Sequence, residues 1–547
     1  MNFTTAFFRT VFWRPIDAYA ALFWWITGRK VRARNRLRMA AEQSPYAYSV
    51  WVDSVENQSD IIAAAPAIMA QWQHRPKFSV IFHQQQQQTT KDLARALTAL
   101  GKQCYAEWEL ILVQSLNSQS LSNLPLSNMP LSNMVIITEK TDDPKRALQL
   151  ASDTASGDYV LPLAADTTLP ATALFRYAEA LQNTPQPLII YGDHDEIDLR
   201  GKRSKPWFKP RWNDELFLAQ DYLSAACVLR ANLFRRAIAK ITSAPPARPA
   251  VSGAEHYDLL LNATSDDAIQ PDTDIAHIPH IQSHCRHVHG PNNQSARLAT
   301  LSQHLACRHA TVREGPFGTT SVAWPLPQNR PLVSIIVPTR DQVKLLRSCI
   351  TSVLTGTHYH PFELIIVDNG SVEAETHAYL KQVGRNPAVR ILQYDAPYNF
   401  SAINNFAVKH AQGSYICLLN NDTEVLDDQW LTEMMRQATR PEVGAVGAKL
   451  LYADGSIQHA GVVIGLGEAA GHAHRYLRGD KPGYFHRPHV THYVSAVTAA
   501  CLLVSKEKFD AVGGLDAEGL PIAFNDVDFC LKLERAGWQN IYTPLAK

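Results

Sequence analysis

Three short stretches set acids where the chain leaves a strand or enters a helix. Asp368-Asn369-Gly370-Ser371 follows the apolar run FELIIV, and a carboxylate at that strand end can accept from a ring N–H or a ribose hydroxyl. Asn420-Asn421-Asp422 follows ICLL, where an acid can reach a divalent cation held on a diphosphate. Phe524-Asn525-Asp526-Val527-Asp528 opens a helical stretch over 529–536, and the positive end of a helix keeps a carboxylate ionised and basic. Together the three make one acidic pocket. Each acid alone is equally a helix cap or a turn former.

The elements that must position these acids occur twice. The first copy reads FSVIF (Phe78 to Phe82), WELILV (Trp108 to Val113) and ASGDYVLPLAADTTLP (Ala155 to Pro170). The second reads VSIIVPT (Val333 to Thr339), FELIIVDNGS (Phe362 to Ser371) and AQGSYICLLNNDTEV (Ala411 to Val425). Ser79 to Glu109 spans 30 residues and Ser334 to Glu363 spans 29, while Gly157 to Asp166 and Gly413 to Asp422 both span 9. Each copy alternates β-branched apolar runs with helical stretches such as Gln342 to Leu354 and Ser401 to Ala411. That alternation predicts βαβ units and two tandem α/β domains, each a mostly parallel sheet with helices on both faces and its ligand at the carboxyl strand ends. Gly315 to Pro331 carries four prolines and no periodicity, which places a linker between the copies. Gln84 to Gln88 and the near-repeat from Leu121 to Met134 read as loops. The expected organisation is a helical segment over 1–76, a first domain over 77–295, a linker over 296–330 and a second domain over 331–547.

Composition narrows the function classes. The chain has 547 residues and a net charge of +1, with no footprint for nucleic acid. Its eight cysteines (Cys104, Cys227, Cys285, Cys307, Cys349, Cys417, Cys501, Cys530) form no C-x-x-C, so neither a zinc knuckle nor a dithiol redox motif is present, and they read as free thiols. No G-x-G-x-x-G follows a first strand, which argues against a dinucleotide-dependent dehydrogenase.

Val333 to Pro544 resembles the GT-A, Rossmann-like domain of family 2 glycosyltransferases, inverting enzymes that use nucleotide-diphospho-sugars. The matching motifs are VSIIVPT, ELIIVDNGS, NFSAINNFAVKHAQGSYICLLNNDTEV, SIQHAGVVIG, GHAH, VSAVTAACLLV and FNDVDFCLKLERAG. They are most similar to the bacterial branch that builds O-antigen, rhamnan and other surface polysaccharides. The resemblance implies hexosyl or rhamnosyl transfer to a glycan or lipid-linked acceptor. It implies that Pro338, Thr339 and Asp368 line the base and ribose pocket with Asn404 or Asn405 nearby, and that Asn420 and Asn421 border the donor. Asp422 stands at the last acid of the family's metal motif, whereas Asn420 replaces the first, so Mg²⁺ or Mn²⁺ is expected to bind weakly. Asp526 matches the catalytic base, with Asp528 a second acid in the same pocket. A non-catalytic scaffold or acceptor-binding subunit of an assembly complex is the alternative. His459, His472 and His474 fall in the matching motifs, and the choice between a site role and paired or solvent-facing rings stays open.

The first copy also resembles the family over Val80 to Ala276, most clearly from Tyr191 to Leu223, but departs at the site. Gln114 stands where Asp368 is, Ala164 where Asn420 is, and His256 where Asp526 is; Asp166 and Asp258 remain. Donor and metal binding there are expected to be dismantled. Past the strand aligned with Ile541 to Pro544, the first copy runs on through His280, His284, His287 and His289, while the second ends at Lys547. The family carries a histidine segment at that place, so the second domain is read as truncated at its C-terminus.

No apolar run reaches the roughly 18–20 residues of a spanning helix. Residues 16–38 join Tyr19, Leu22, Phe23, Trp24 and Trp25 to Arg29, Lys30, Arg32, Arg34, Arg36 and Arg38, a pattern suited to a helix in the headgroup layer. The alternative is a helix packed by its aromatic face on the next domain. The expected location is cytoplasmic, peripheral on the inner face of the cytoplasmic membrane.

Overall fold

The computed structural model describes the chain apart from residues 1–6, 8–9, 31–32, 35, 38–39, 41–46, 57, 85–89, 115–133, 138, 140, 184, 244–252, 287–291 and 467–468. Most of both low-complexity insertions, Arg32, Arg38, His287 and His289 lie outside the described residues. The chain divides into two units, the first Met1–Trp212 with Tyr222–Thr300 and the second Asn213–Asp221 with Leu301–Lys547.

In the first unit the strands are β1 (Phe78–Gln84), β2 (Trp108–Gln114), β3 (Met134–Ile137), β4 (Tyr159–Leu163), β5 (Thr167–Thr168), β6 (Ile189–Ile197), β7 (Arg203–Trp207), β8 (Cys227–Arg230) and β9 (Ile275–Cys285). They form one sheet in the order β3-β2-β1-β4-β8-β6-β9-β5, with β7 on β6. A hairpin of β10 (Thr311–Glu314) and β11 (Thr320–Ala323) opens the main run of the second unit. Its sheet holds β12 (Val333–Thr339), β13 (Phe362–Asp368), β14 (Val389–Gln393), β15 (Tyr415–Leu419), β16 (Val443–Ala448), β21 (His492–Tyr493), β22 (Cys501–Ser505) and β23 (Gln539–Thr543). The order is β14-β13-β12-β15-β22-β16-β23-β21. Two small hairpins, β17 (Leu450–Leu451) with β18 (Ile457–His459) and β19 (Val462–Ile464) with β20 (Ala470–His472), complete it.

The two sheets share the order of their first seven strands and differ in the last, β5 or β21, and in the extra strand β7. Strands β1, β2, β3 and β4 run parallel, as do β12, β13, β14 and β15. One antiparallel strand, β8 or β22, then separates this half from the parallel pair β6–β9 or β16–β23. The parallel strands are near-continuous apolar runs because both faces are covered. In the second unit Ile335, Val337, Leu364 and Ile366 pack with Leu346, Ile350 and Val353 of the helix Val343–Thr355. Their neighbours Ile336, Ile365 and Val367 pack on the opposite face with Ile403, Ala407 and Val408 of the helix Phe400–His410. Alternation along the strand thus supplies two cores, and each fully buried Ile or Leu contributes roughly 1.5–3 kcal/mol.

Two expected boundaries differ. Residues 296–330 contain the end of the helix Asn292–Leu305 and the β10–β11 hairpin instead of a bare linker; the hairpin closes where the Gly315 N–H meets the Thr319 carbonyl at 2.8 Å. The helix Asp214–Ala219, from within the first sequence copy, belongs to the second unit, where Glu215 pairs with Arg440 at 2.6 Å. A buried ion pair between distant stretches leaves no mark in hydrophobic periodicity.

The first residues are helical, with helices over Pro15–Ile26, Ala47–Val55 and Gln58–Met69. Ala18 and Ala21 are buried with Ala33 and Leu37, and the rings of Trp24 and Trp25 lie under Arg36 and Arg34. No described helix is long and apolar enough to cross a membrane.

Candidate active site

A cavity of about 500 Å³ opens at the carboxyl ends of the second unit's parallel strands. It is lined by Pro338 and Thr339 from the end of β12, Asn369 after β13, Asn420, Asn421 and Asp422 after β15, and Asp526. Five of the residues singled out from sequence as donor or metal ligands therefore share one wall with the expected base.

Local chemistry holds this wall. Asn421 Nδ2 donates to Thr339 Oγ1 at 3.1 Å, joining the ends of β12 and β15. Asn369 N–H donates to the Thr339 carbonyl, and its side-chain amide donates to the carbonyls of Tyr394 and Ala396. Asp341 and Gln342 follow with φ of 53° and 55°, left-handed values that cost a non-glycine residue about 1–3 kcal/mol. Asp341 offsets this: its carboxylate accepts the Val372 and Glu373 N–H groups, and its own N–H donates to Ser371 Oγ. Those backbone donors hold the Asp341 carboxyl below its ordinary range.

Asp368 ends β13, fully buried, and like Asn404 and Asn405 it is not among the lining residues. Its Oδ1 accepts the Ser371 N–H at 3.0 Å, but Oδ2 is buried without a hydrogen-bond partner. A buried carboxylate oxygen without a donor is costly, and a ligand N–H or O–H would satisfy it. Asn404 is buried in the Phe400–His410 helix, its Nδ2 on the Phe400 carbonyl and its Oδ1 likewise without a partner. Asn405 is engaged on both amide atoms by the backbone of Leu515.

Asp526 sits in the first turn of the helix Asn525–Arg535, entered through Phe524 at a left-handed φ of 59°. Its Oδ1 accepts the Val527 N–H at 2.9 Å and its Oδ2 the Ala499 N–H at 3.1 Å, which fixes the carboxylate against the cavity. Asp528, two residues on, is turned along the helix to Lys532 at 3.1 Å and is not among the lining residues.

As a metal site the wall offers one exposed carboxylate, Asp422, flanked by neutral amides. Among the described residues no cluster of three His, Cys, Asp or Glu could hold an ion. One carboxylate suits Mg²⁺ or Mn²⁺ only when substrate phosphates supply further oxygens.

Sequence reasoning passed over Arg340, Tyr398 and Thr498, which also line the cavity. Arg340 was available as the residue directly after Pro338-Thr339, an exposed guanidinium at the mouth. Thr498 was available inside the motif VSAVTAACLLV, whereas Tyr398 lies just before the motif that begins at Asn399 and carries no signal of its own. Of the histidines, His459 and His472 are paired to each other, Nδ1 to Nδ1 at 2.9 Å. β20 ends at His472 and His474 adopts a left-handed φ of 58°, so the two do not share an extended face.

An open α/β sheet places its ligand in the crevice at the carboxyl ends of its parallel strands, and the cavity walled by these amides and acids lies there. Residues 334–505 match the family model of glycosyl transferase family 2, and this part of the chain belongs to that family. The chain is 39% identical over 472 residues to the uncharacterized protein y4gI of Sinorhizobium fredii, covering 83% of this chain and 51% of that protein. It is 33% identical over 499 residues to the O-antigen biosynthesis protein RfbC of Myxococcus xanthus, covering 88% of this chain and 38% of that protein. The chain thus spans about half or less of the length of these two relatives. A solved mannosyltransferase from Pyrobaculum calidifontis, in complex with GDP-Man and Mn²⁺, aligns at 16% identity and a TM-score of 0.31 over 40% of this chain and 56% of that one.

Proposed function

We propose that the second unit transfers a sugar, hexosyl or rhamnosyl, from a nucleotide-diphospho-sugar to a hydroxyl of a glycan or lipid-linked acceptor in surface polysaccharide synthesis. The observation that carries this reading is the strand-end cavity with Asp422 and Asp526 on its wall, together with the unsatisfied Oδ2 of Asp368, the residue before the lining Asn369. Asp368, Asn404 and the Pro338–Thr339 edge take the base and ribose; Asn420 and Asn421 border the diphosphate. Asp526 accepts the proton of the acceptor hydroxyl while that oxygen bonds to the anomeric carbon and the bond to the diphosphate breaks on the opposite face, which inverts the centre. Asp528 is the reserve acid one step along the helix. Asp422 would hold a divalent cation weakly, and that cation supplies positive charge opposite the leaving diphosphate.

A thermal-shift series of UDP-, GDP- and dTDP-sugars with Mn²⁺ or Mg²⁺, followed by nucleoside diphosphate release, tests the reading, because a ligand that binds only the folded state stabilises it. Stabilisation by at least one donor is expected. No stabilisation and no release would favour the scaffold reading.

We further place the N-terminal helices on the inner face of the cytoplasmic membrane, through anionic lipid. Phe12, Ile16, Tyr19, Phe23 and Ile26 recur at helical spacing and are all exposed, Phe12 by 91%, beside Arg29, Lys30 and Arg34. Co-sedimentation with phosphatidylserine vesicles that weakens with salt is expected; equal behaviour with phosphatidylcholine vesicles alone would remove the idea.

A further inference from the structure

His459 and His472 approach Nδ1 to Nδ1 at 2.9 Å with rings nearly perpendicular, at 85°. Two ring nitrogens at that distance share one proton, so one donates and the other accepts. Which is which follows from the far side of His459. That ring is fully buried, and its Nε2 accepts the Gly461 N–H at 3.3 Å. An accepting Nε2 carries no proton, so neutral His459 holds its proton on Nδ1 and donates it to His472. Neutral His472 must then keep its own proton on Nε2, on the ring edge away from His459. Cations are disfavoured in the pair: burial and the neighbouring ring push His459 down to about 3. Burial also lowers His472, with Arg475 acting the same way and the Asp526 charge acting against them.

The backbone brings this donor beside the proposed base. His472 lies opposite Val462 in the β19–β20 pairing, and the Val462 N–H donates to the Ala496 carbonyl at 2.9 Å. Three residues on, the Ala499 N–H donates to Asp526 Oδ2. The segment from Ala496 to Ala499 therefore links the strand beside His472 to the Asp526 carboxylate, and His472 Nε2 has no protein hydrogen-bond partner among the described residues.

We propose that His459 is a positioning residue that fixes the tautomer of His472, and that the His472 Nε2–H binds a hydroxyl or ring oxygen of the sugar acceptor beside Asp526. The acceptor role rests on the transferase reading above; the tautomer does not. Nitrogen-15 NMR of the full chain labelled at histidine tests both. Without ligand, His472 should be protonated at Nε2 and bare at Nδ1, in the wild type and in His459→Asn, which retains a side-chain N–H donor. A mixture of tautomers is expected in His459→Ala. A proton on Nδ1 of His472 in the wild type would overturn the assignment. Titration with methyl glycosides of rhamnose, glucose and N-acetylglucosamine should then move the Nε2 signal. His459→Ala should weaken that response roughly fivefold and His459→Asn should restore it. A signal that no glycoside moves would overturn the acceptor role. Neither measurement needs a donor, so nucleoside diphosphate release reports separately on the transferase reading.

Discussion

At the amino ends of their strands the two units are built alike, and at the carboxyl ends they are not. Ser79 Oγ donates to Glu109 Oε1 at 2.6 Å and accepts the Gly157 N–H at 2.9 Å. Ser334, Glu363 and Gly413 repeat those bonds at 2.6 and 2.9 Å. The carboxylates are paired outward with different cations, Lys77 at 2.8 Å and Arg390 at 2.9 Å. This buried peg ties three strands together and demands the same side chains wherever the sheet is kept. At the other end, the second unit has an open cavity lined by Asn369, Asn420, Asn421, Asp422 and Asp526, and it leaves Asp368 Oδ2 and Asn404 Oδ1 buried without partners. The first unit turns its buried acids inward: Asp195 is bonded at 2.5 Å by Tyr48, Arg203 and His284, and Asp193 by His277 at 2.8 Å. There β5 also pairs with the extension of β9, through Thr167 and Cys285. Framework and chemistry occupy opposite ends of one sheet, so the chemistry can be lost while the framework persists.

The largest effect should separate the units by activity. Asp526→Asn keeps the shape and one of the two backbone N–H contacts, since its amide nitrogen cannot accept the other, and it removes the proton acceptor, so turnover should fall by about 10²–10⁴. His256→Asn, at the matching place in the first unit, should leave turnover unchanged. Near-normal turnover in Asp526→Asn would move the role to Asp528. Donor binding is the next test. Asp368→Ala strands the ligand donor that Oδ2 would satisfy and should weaken nucleotide-sugar affinity by roughly 1–3 kcal/mol, read by calorimetry. Asp166→Ala should not alter it. Two donor sites per chain, or weakened binding in the Asp166 variant, would break the comparison.

The repeat was legible in the sequence because the peg needs Ser, Glu and Gly at set spacings and both strand faces are apolar. The strand ends were legible where a motif ran continuously, as from Asn420 to Asp422. What stayed hidden came from distance. Arg340 and Thr498 meet in the cavity from β12 and a loop over 150 residues later, and the His459–His472 pair depends on two separate hairpins. The helix Asp214–Ala219 joined the second unit through the Glu215–Arg440 contact, which no local pattern announces.

The peg itself predicts a matched pair of stability losses. A Cβ added at Gly157 would fall 2.7 Å from Ser79 N and Oγ, and one at Gly413 2.7 Å from Leu332 O, Ser334 N and Ser334 Oγ. Backbone cannot yield there as a flexible side chain can. Gly157→Ala and Gly413→Ala should each destabilise by roughly 1–3 kcal/mol in denaturant titration. Loss in one variant only would show that the two pegs are not equivalent.

The smallest effect concerns the outer cations. Burial raises the Glu109 carboxyl, but hydrogen bonds from Lys77, Ser79 and Ser156 outweigh it and bring it down to about 2. Glu363 is lowered in the same sense, burial opposing and Ser334, Gln412 and Arg390 prevailing. A carboxylate whose folded value is depressed contributes stability above its unfolded value, near 4.5, and loses it as pH falls towards the folded value. Both units should therefore weaken as pH drops below about 4.5. Lys77 and Arg390 are each partly exposed, at 41% and 35%, so removing either should cost less than about 1 kcal/mol at neutral pH. Lys77→Met should move the acid-unfolding midpoint of the first unit upward and leave the second unchanged, and Arg390→Met should do the reverse. Following each unit by the exchange of its own sheet amides separates the two transitions. Midpoints that shift together in either variant would mean that the pegs titrate as one system, and that the units do not lose their frameworks independently.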